Sequence, residues 1–467
     1  MPEHPFLGPT YANTFLEADQ QRCVNWFVKG NTLMSKPGYQ LWTTAGLGPI
    51  RGWAKHQNEL ITASKNGVYS TNLGGATKQV GSLDTGIGTV YMASSGWDGG
   101  QTLITDGKFG YYYAGGTVTR ITDAQFPSKP QHCVFDNGFF LVLKGNTGEF
   151  HKSENAFDVV SWGGEFATAE HIPDQLKAII VSRNDLWLVG ESSVESWFYS
   201  GRAFPWDPNR QAVQNYGIIA PNSLTRFDNN IAWLAKSEDL GLVAVRTNQF
   251  QVTPLDANGV IEKEWSEYET VEDAIGWSFQ YPGLGQFLVF QFPTADKTWV
   301  FDAKEKMWHE WEQWDADPLA VGRHAGDRHI FFSDRHLISD NYDGSVYEMD
   351  HQLYQNAGKT IVRKRMGPNL HGSRSIVTFV ELDLVMRMGV GKSGDPEPVV
   401  KMSYSDDRGA TWSNWQTTSI GGVGARTKTA MFDRMGSAKE RVFQLEVSHD
   451  VNAMLTDSDL TVEREVA

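Results

Sequence analysis

The chain has 467 residues, a formal charge of −15, and no apolar run near the roughly 20 residues that span a bilayer, so a helical membrane protein is excluded. It is too long for one ordinary core, and 46 Gly, 17 Trp, 15 Tyr and 25 Phe with only 21% charged residues favour a turn-rich, all-β chain packed around aromatics. Cys23 and Cys133 lie far apart with no CxxC, which excludes a disulfide framework and a cysteine-ligated zinc site and suits a reducing cytosol.

The charge is uneven: residues 356–467 carry 15 Lys and Arg against 14 Asp and Glu, leaving 26 against 42 in residues 1–355. Phosphate contacts need Lys and Arg, so the acidic part is not a DNA grip. Met1-Pro2-Glu3-His4-Pro5 carries neither a basic n-region nor an apolar h-region, so no secretory signal is expected.

Residues 1–50 read as an extended N-terminal segment containing Cys23-Val24-Asn25-Trp26-Phe27-Val28 and a Lys36-Pro37-Gly38-Tyr39 turn. From there an apolar run flanked by polar turns recurs, anchored at Leu60-Ile61-Thr62, Leu103-Ile104-Thr105, Phe140-Leu141-Val142, Leu186-Trp187-Leu188, Ile231-Ala232-Trp233, Phe287-Leu288-Val289 and Ile330-Phe331-Phe332. Successive anchors are 43, 37, 46, 45, 56 and 43 residues apart. Most are followed by a turn and a second strand, as in Asn66-Gly67-Val68-Tyr69 and Asp343-Gly344-Ser345-Val346-Tyr347. Several strands per unit of about 40–45 residues is the signature of propeller blades. A propeller of about seven blades over residues 51–354 is expected, in preference to stacked meanders forming a sandwich.

The stretch 195–253 shows the pattern most plainly. Ile231–Leu234, Leu242–Val245 and Phe250–Thr253 are separated by Asp228-Asn229-Asn230, Ser237-Glu238-Asp239-Leu240-Gly241 and Thr247-Asn248. Short apolar runs between such turns predict antiparallel strands joined by hairpins. Met307-Trp308-His309-Glu310-Trp311 supplies a third strand to the unit around 286–314.

Near Leu353-Tyr354-Gln355 the charge balance changes, and Ile361-Val362-Arg363-Lys364-Arg365, Gly367-Pro368 and His371-Gly372 mark a boundary. Strands at Ile376–Leu384, Val399–Tyr404, Val442–Val447 and Leu460–Val462 predict a C-terminal antiparallel β-sandwich module over residues 355–467.

Ser405-Asp406-Asp407-Arg408-Gly409-Ala410-Thr411-Trp412 matches the Asp box of sialidases and other propellers. Ser405, Asp407, Gly409 and Trp412 are read as a structural turn, because glycoside hydrolysis needs a positioned pair of carboxylates that this turn does not supply. Gly391-Lys392-Ser393 has Met386 where a phosphate loop requires its first glycine, and Pro396 and Pro398 follow where a helix should begin, so a solvent hairpin is the better reading. The 12 histidines form no HxH or HExxH pair, and Asp340-Asn341-Tyr342-Asp343-Gly344 lacks the alternation of a calcium loop. No catalytic, cofactor or metal residue is expected. Phe204 and Trp206, in Phe204-Pro205-Trp206-Asp207-Pro208, either face a partner or plug the propeller's own end. Arg363, Lys364 and Arg365 form either a basic partner patch or, the preferred reading, a solvated linker.

A resemblance adds to this. Val189-Gly190, Glu195-Ser196-Trp197-Phe198-Tyr199, Gly201, Phe204-Pro205, Gly217, Ala220-Pro221-Asn222-Ser223, Asp228-Asn229, Trp233-Leu234, Gly241 and Val260-Ile261-Glu262 resemble the packaged-DNA stabilisation, or tail nozzle, proteins of short-tailed bacteriophages. Asn25-Trp26-Phe27, Lys36-Pro37-Gly38 and a C-terminal β module stand in that family's order; Leu255-Asp256-Ala257-Asn258 departs from it, where a short Ser-Thr element is expected. The resemblance implies a non-enzymatic virion protein. It forms a hexameric ring below the portal and its adaptor, extends the DNA channel, retains packaged DNA and carries a tail plug or needle. Tailspike or fibre proteins are further candidate partners, and double-stranded DNA passes without specific binding. The rival reading, resting on the Asp box, is a glycan-binding or glycan-hydrolysing propeller.

Overall fold

The computed structural model describes residues 5–12, 21–96, 100–169, 174–209, 213–237, 240–256, 259–316, 319–371, 375–387, 396–425 and 429–464. The expected turn at Glu238-Asp239, the Ala257-Asn258 departure, Gly372 and the Gly391-Lys392-Ser393 loop lie outside them. Strands dominate because apolar residues alternate with polar ones along short runs closed by residues that tolerate positive φ, such as Asn137, Asp228 and Asn229.

Seven four-stranded antiparallel units follow one another around the propeller. Blade 1 starts at Ile50–His56, blade 2 at Tyr91–Ser94, blade 3 at Pro130–Asp136 and blade 4 at Leu176–Ser182. Blade 5 starts at Thr225–Phe227, blade 6 at Ile275–Tyr281 and blade 7 at Gly326–Phe332. The first strands of blades 1 to 4 pack on one another in sequence, as do those of blades 5 to 7; blade 4's first strand meets the Pro221–Ser223 turn that leads into blade 5, and blade 7 meets blade 1 where Phe332, Leu337 and Val346 enclose Leu60. Six of the anchors fall on second strands, Glu59–Ser64 being the first, but Ile330-Phe331-Phe332 falls on the first strand of blade 7. Met307–Glu310 is the fourth strand of blade 6, not its third. In blade 5, Asn230–Ser237, Gly241–Asn248 and Gln251–Pro254 form the expected meander, with Trp233 opposite Val245.

Blade 7 is closed by the N-terminal strand Gly38–Thr44, which pairs with Ser345–Asp350 as its fourth strand, with Asn356 paired to Tyr39 beyond it. Gly38 is required there: a Cβ would lie 2.4 Å from the carbonyl of Gln355 and 2.6 Å from that of Leu353. Residues 1–50 are therefore not only a lead-in. Their described part supplies strands to both halves of the chain, because an open ring would expose the edge of blade 7.

A short helix, Val260–Ser266, follows blade 5; its Val260, Ile261 and Trp265 join the core between blades 5 and 6. The C-terminal module has two layers. One holds Arg363–Met366, Glu440–Val447, Val399–Ser405 and Gln416–Ser419; the other holds Ala430–Asp433, Val377–Met386 and Leu455–Arg464. Their inner faces bury Phe379, Leu382, Val400, Met402, Phe443 and Leu445.

Candidate functional site: the strapped junction and its surfaces

Propeller and sandwich share one ten-stranded sheet. Cys23–Val24 lies between them, with Val24 parallel to Glu310 of blade 6 and Cys23 antiparallel to Arg365 of the sandwich. Asn25 ends this strand at φ 55°, a conformation asparagine tolerates better than most residues. Its amide donates to the carbonyls of Glu312 (3.0 Å) and Val362 (2.7 Å), and its oxygen accepts from the N–H of Glu312 (3.0 Å). The next strand, Trp26–Lys29, pairs with Thr32–Ser35, and Leu33 of that hairpin pairs with Leu455. Trp26 enters the sandwich core, and its indole donates to the carbonyl of Ala453 (2.7 Å). Phe27 enters the propeller core beside Phe287.

Buried charges pin this strap. Arg22 grips Glu310 with two hydrogen bonds, 2.6 and 2.7 Å, and reaches Glu312 at 2.9 Å; Tyr11 donates to the same Glu310. Burial alone would raise the Glu310 carboxyl, but Arg22 more than offsets it and holds the group below the usual carboxylate range. Burial and the neighbouring Glu310 push Glu312 the other way. Lys36 is fully buried, donates to Asn356 Oδ1 (3.0 Å) and lies over the Tyr39 and Trp311 rings. Burial, with Arg363 adding like charge, lowers its proton affinity well below that of an ordinary lysine.

The basic triplet is neither a linker nor a free patch. Arg363 and Arg365 are fully buried within the strand Arg363–Met366. Arg365 donates to the carbonyls of Phe6 (3.0 Å), Gly8 (3.0 Å), Pro9 (2.9 Å) and Gln21; Arg363 donates to Ser35 Oγ (2.6 Å) and to the carbonyls of Ile361 and His449. Strand alternation explains it: residues 363 and 365 share the inward face and only Lys364 faces out, over the Trp314 ring.

Trp206 is also buried, and its indole donates to Asp136 (2.8 Å). Phe204 is half-buried against Phe150 and Trp206. Aromatics that do reach solvent include Phe198 and Tyr199, 45% and 41% exposed, and Phe157 and Phe166 from the neighbouring blade. Alternation along the strand Val194–Tyr199 could not have distinguished them, because its first four residues are all buried and its last two both exposed although they stay paired in the sheet.

The Asp box forms a turn. Asp407 Oδ1 accepts from the N–H of Thr411 (2.8 Å) and from Ser405 Oγ (2.7 Å), Ser405 Oγ accepts from the N–H of Gly409 (2.7 Å), and Gly409 sits at φ 92°. Hydrogen bonds from Thr411 first, then Ser405, depress Asp407 to about 2. Trp412 is half-buried beside the turn. Asp406, itself exposed, holds the buried Arg441 with bonds of 2.6 and 2.8 Å, and that guanidinium stacks over Phe379 and Tyr404.

At the propeller axis, Tyr91 of blade 2 donates to Asn222 Oδ1 (3.0 Å), and Asn222, on the connection into blade 5, donates to Thr89 (3.1 Å). Blades 2 and 5 stand across the ring, so this bond crosses the axis. Among the described residues no group of three or more His, Cys, Asp or Glu is placed to hold a metal ion. Among them, too, no helix is long and apolar enough to cross a membrane.

Two family profiles match the chain: "Bacteriophage P22 Gp10, beta-propeller" over residues 20–354 and "Bacteriophage P22 Gp10, beta-sandwich" over residues 362–463. The chain belongs to the bacteriophage P22 Gp10 family. It is a structural tail protein of a phage. No curated protein matches it. Among solved structures it is similar to virginiamycin B lyase from Staphylococcus aureus, at 12% identity and TM-score 0.43, covering 64% of this chain and 94% of that one. The Pan2 WD40 domain of Neurospora crassa is similar at 10% identity and TM-score 0.42, covering 68% and 96%. At these scores the likenesses carry no argument about this chain.

Proposed function

We propose that this Gp10-family protein is a tail nozzle, or head-completion ring. It lies below the portal and its adaptor, extends the DNA channel, retains packaged DNA and carries the plug or needle. Family membership carries the reading. The axial geometry supports a channel built from several copies, because a hydrogen bond across the propeller axis leaves no room for a duplex within one copy. A hexamer enclosing a lumen meets that need, with the role structural and not catalytic. The strapped junction suits it: a shared sheet pinned by buried ion pairs transmits load between propeller and sandwich without a hinge. Phe198, Tyr199 and Phe157 are the aromatic anchors offered to adaptor, needle or tailspike in place of the buried Trp206.

Mass photometry of the purified chain, with and without the adaptor, tests this. Rings of six copies that bind the adaptor are expected; a monomer under both conditions overturns the reading. In the ring, Asp and Glu should outnumber Lys and Arg on the lumen, since a basic wall would grip phosphates with strongly salt-dependent affinity. A predominantly basic lumen would remove the account of free DNA passage.

A further inference from the structure

The first strands of four blades carry a β-bulge near the propeller axis, and each bulge re-aims a basic or imidazole side chain. They hold Arg51 in blade 1, His132 in blade 3, Lys177 in blade 4 and Arg328 in blade 7. The chain itself satisfies three of them. Arg51 donates to the carbonyls of Lys65, Thr85, Ile87 and Gly88, His132 Nδ1 accepts from the N–H of Ile179 (3.0 Å), and Lys177 pairs with Glu191 (2.7 Å).

Arg328 is different. It makes no hydrogen bond or ion pair with the described residues, and its Nε is buried without a partner. The adjacent carboxylate, Asp327, is engaged by Arg323. Yet Arg328 lies deep in the axis, close enough to Tyr91 and His132, two and three blades further round the ring, for its charge to act on both. Burial lowers the proton affinity of the guanidinium, the Asp327 charge offsets this only in part, and the buried Nε still calls for an acceptor. The residue as a whole is half-buried, so part of it remains in contact with solvent.

We propose that the propeller axis is a binding site for a carboxylate, held by the Arg328 guanidinium in the bidentate geometry that matches a carboxylate's two oxygens. The surrounding groups fix the charge class. His132, against the Tyr91 ring with centroids 4.2 Å apart, is kept neutral first by burial and then by Arg328, falling to about 3. Tyr91 stays protonated, its hydroxyl committed to Asn222. Arg323 and Asp327 offset each other, so with Arg328 the cluster keeps a net single positive charge, which suits a monoanion and not a phosphate dianion. The carboxylate comes either from a free small acid or from an acidic side chain inserted by a partner. The inference is independent of the tail role, since it rests on the axis of a single copy.

The test follows thermal unfolding of the full chain, and the Arg328 side-chain nitrogen resonances, during titration with sodium acetate against sodium chloride at matched ionic strength. Acetate should raise the unfolding temperature and shift the Arg328 signal where chloride does neither. Arg328→Met should weaken acetate binding at least ten-fold and unfold, without ligand, no lower than the parent. If that variant fails to fold, Arg328→Lys, which keeps the charge and loses the fork, should still weaken binding several-fold. An end-blocked peptide with one internal glutamate separates the sources. Tighter binding than acetate indicates a partner side chain and weaker binding a free acid, and either supports the carboxylate site. An equal response in Arg328→Met, an equal response to chloride, or phosphate binding ten-fold tighter than acetate overturns the proposal.

Discussion

Trp26 and Phe27 are neighbours on one strand and lie in two different cores, Trp26 with Phe379 and Leu382 of the sandwich, Phe27 with Phe287 and Trp311 of the propeller. A strand sends successive side chains to opposite faces, so a single two-residue step joins two hydrophobic units. Truncating either to alanine should cost about 3–5 kcal/mol. The location of the damage separates them. Hydrogen exchange should rise over residues 377–464 for Trp26→Ala and over blades 6 and 7 for Phe27→Ala. Loss confined to the same unit in both would mean that the strand does not bridge them.

The Arg22–Glu310 pair should behave as a buried pair does. Glu310→Gln leaves Arg22 and Tyr11 facing a neutral amide in a site that is 3% exposed, and a loss of about 3 kcal/mol is expected in urea unfolding. Removing both charges with Arg22→Met and Glu310→Gln should recover part of that loss, because Arg22 no longer lacks its main carboxylate, although Glu312 loses its 2.9 Å contact. A double variant as damaged as the sum of the singles would show that the two residues do not act together.

Much of this was legible in the sequence because blades are local: the meander from Asn230 to Pro254 closes through short hairpins, and alternation with Asp228-Asn229 encodes it within a few residues. The strap was not legible. Val24 meets Glu310 and Tyr39 meets Met349 across some 300 residues, and no local pattern announces such pairing. The blade 7 anchor fell on the first strand because Ile330-Phe331-Phe332 is the more apolar run, although Phe331 is exposed and the consecutive buried pair is Leu337 and Ile338 on the second strand. Arg363 and Arg365 were misjudged for a related reason. A basic triplet reads as solvated unless the carbonyls of Phe6, Gly8 and Pro9 are known to await it.

The Asp box should prove mechanical. Arg441 is 2% exposed and ties Asp406 to the Phe379–Tyr404–Phe443 cluster. Arg441→Ala should cost about 3–5 kcal/mol, since it leaves a void and strands the Met435 carbonyl. Asp407→Ala should loosen the turn with a smaller loss and no loss of any catalytic turnover. Sugar hydrolysis by the parent chain that vanishes in Asp407→Ala, with folding intact, would restore the glycan reading.

Glu262 should make stability fall as pH rises from about 4.5 to about 7. Its carboxyl is 8% exposed, and neither oxygen has a hydrogen-bond partner of normal geometry among the described residues. Burial raises it from the ordinary 4.5 to about 7, with Asp256 adding repulsion and the backbone N–H groups of Glu262 and Ala244 tempering the rise. The folded state therefore holds a proton between those values that the unfolded chain has released. Stability from this group is intact below about pH 4.5, declines between pH 4.5 and 7, and stays reduced above. At roughly 1.4 kcal/mol per unit the whole effect is on the order of 3–4 kcal/mol. Glu262→Gln cannot titrate, so its stability should exceed that of the parent at pH 8 and lose this component of the slope. Urea unfolding of both proteins at half-unit steps from pH 4.5 to 8 measures it, and parallel profiles would show that Glu262 titrates normally in the folded chain.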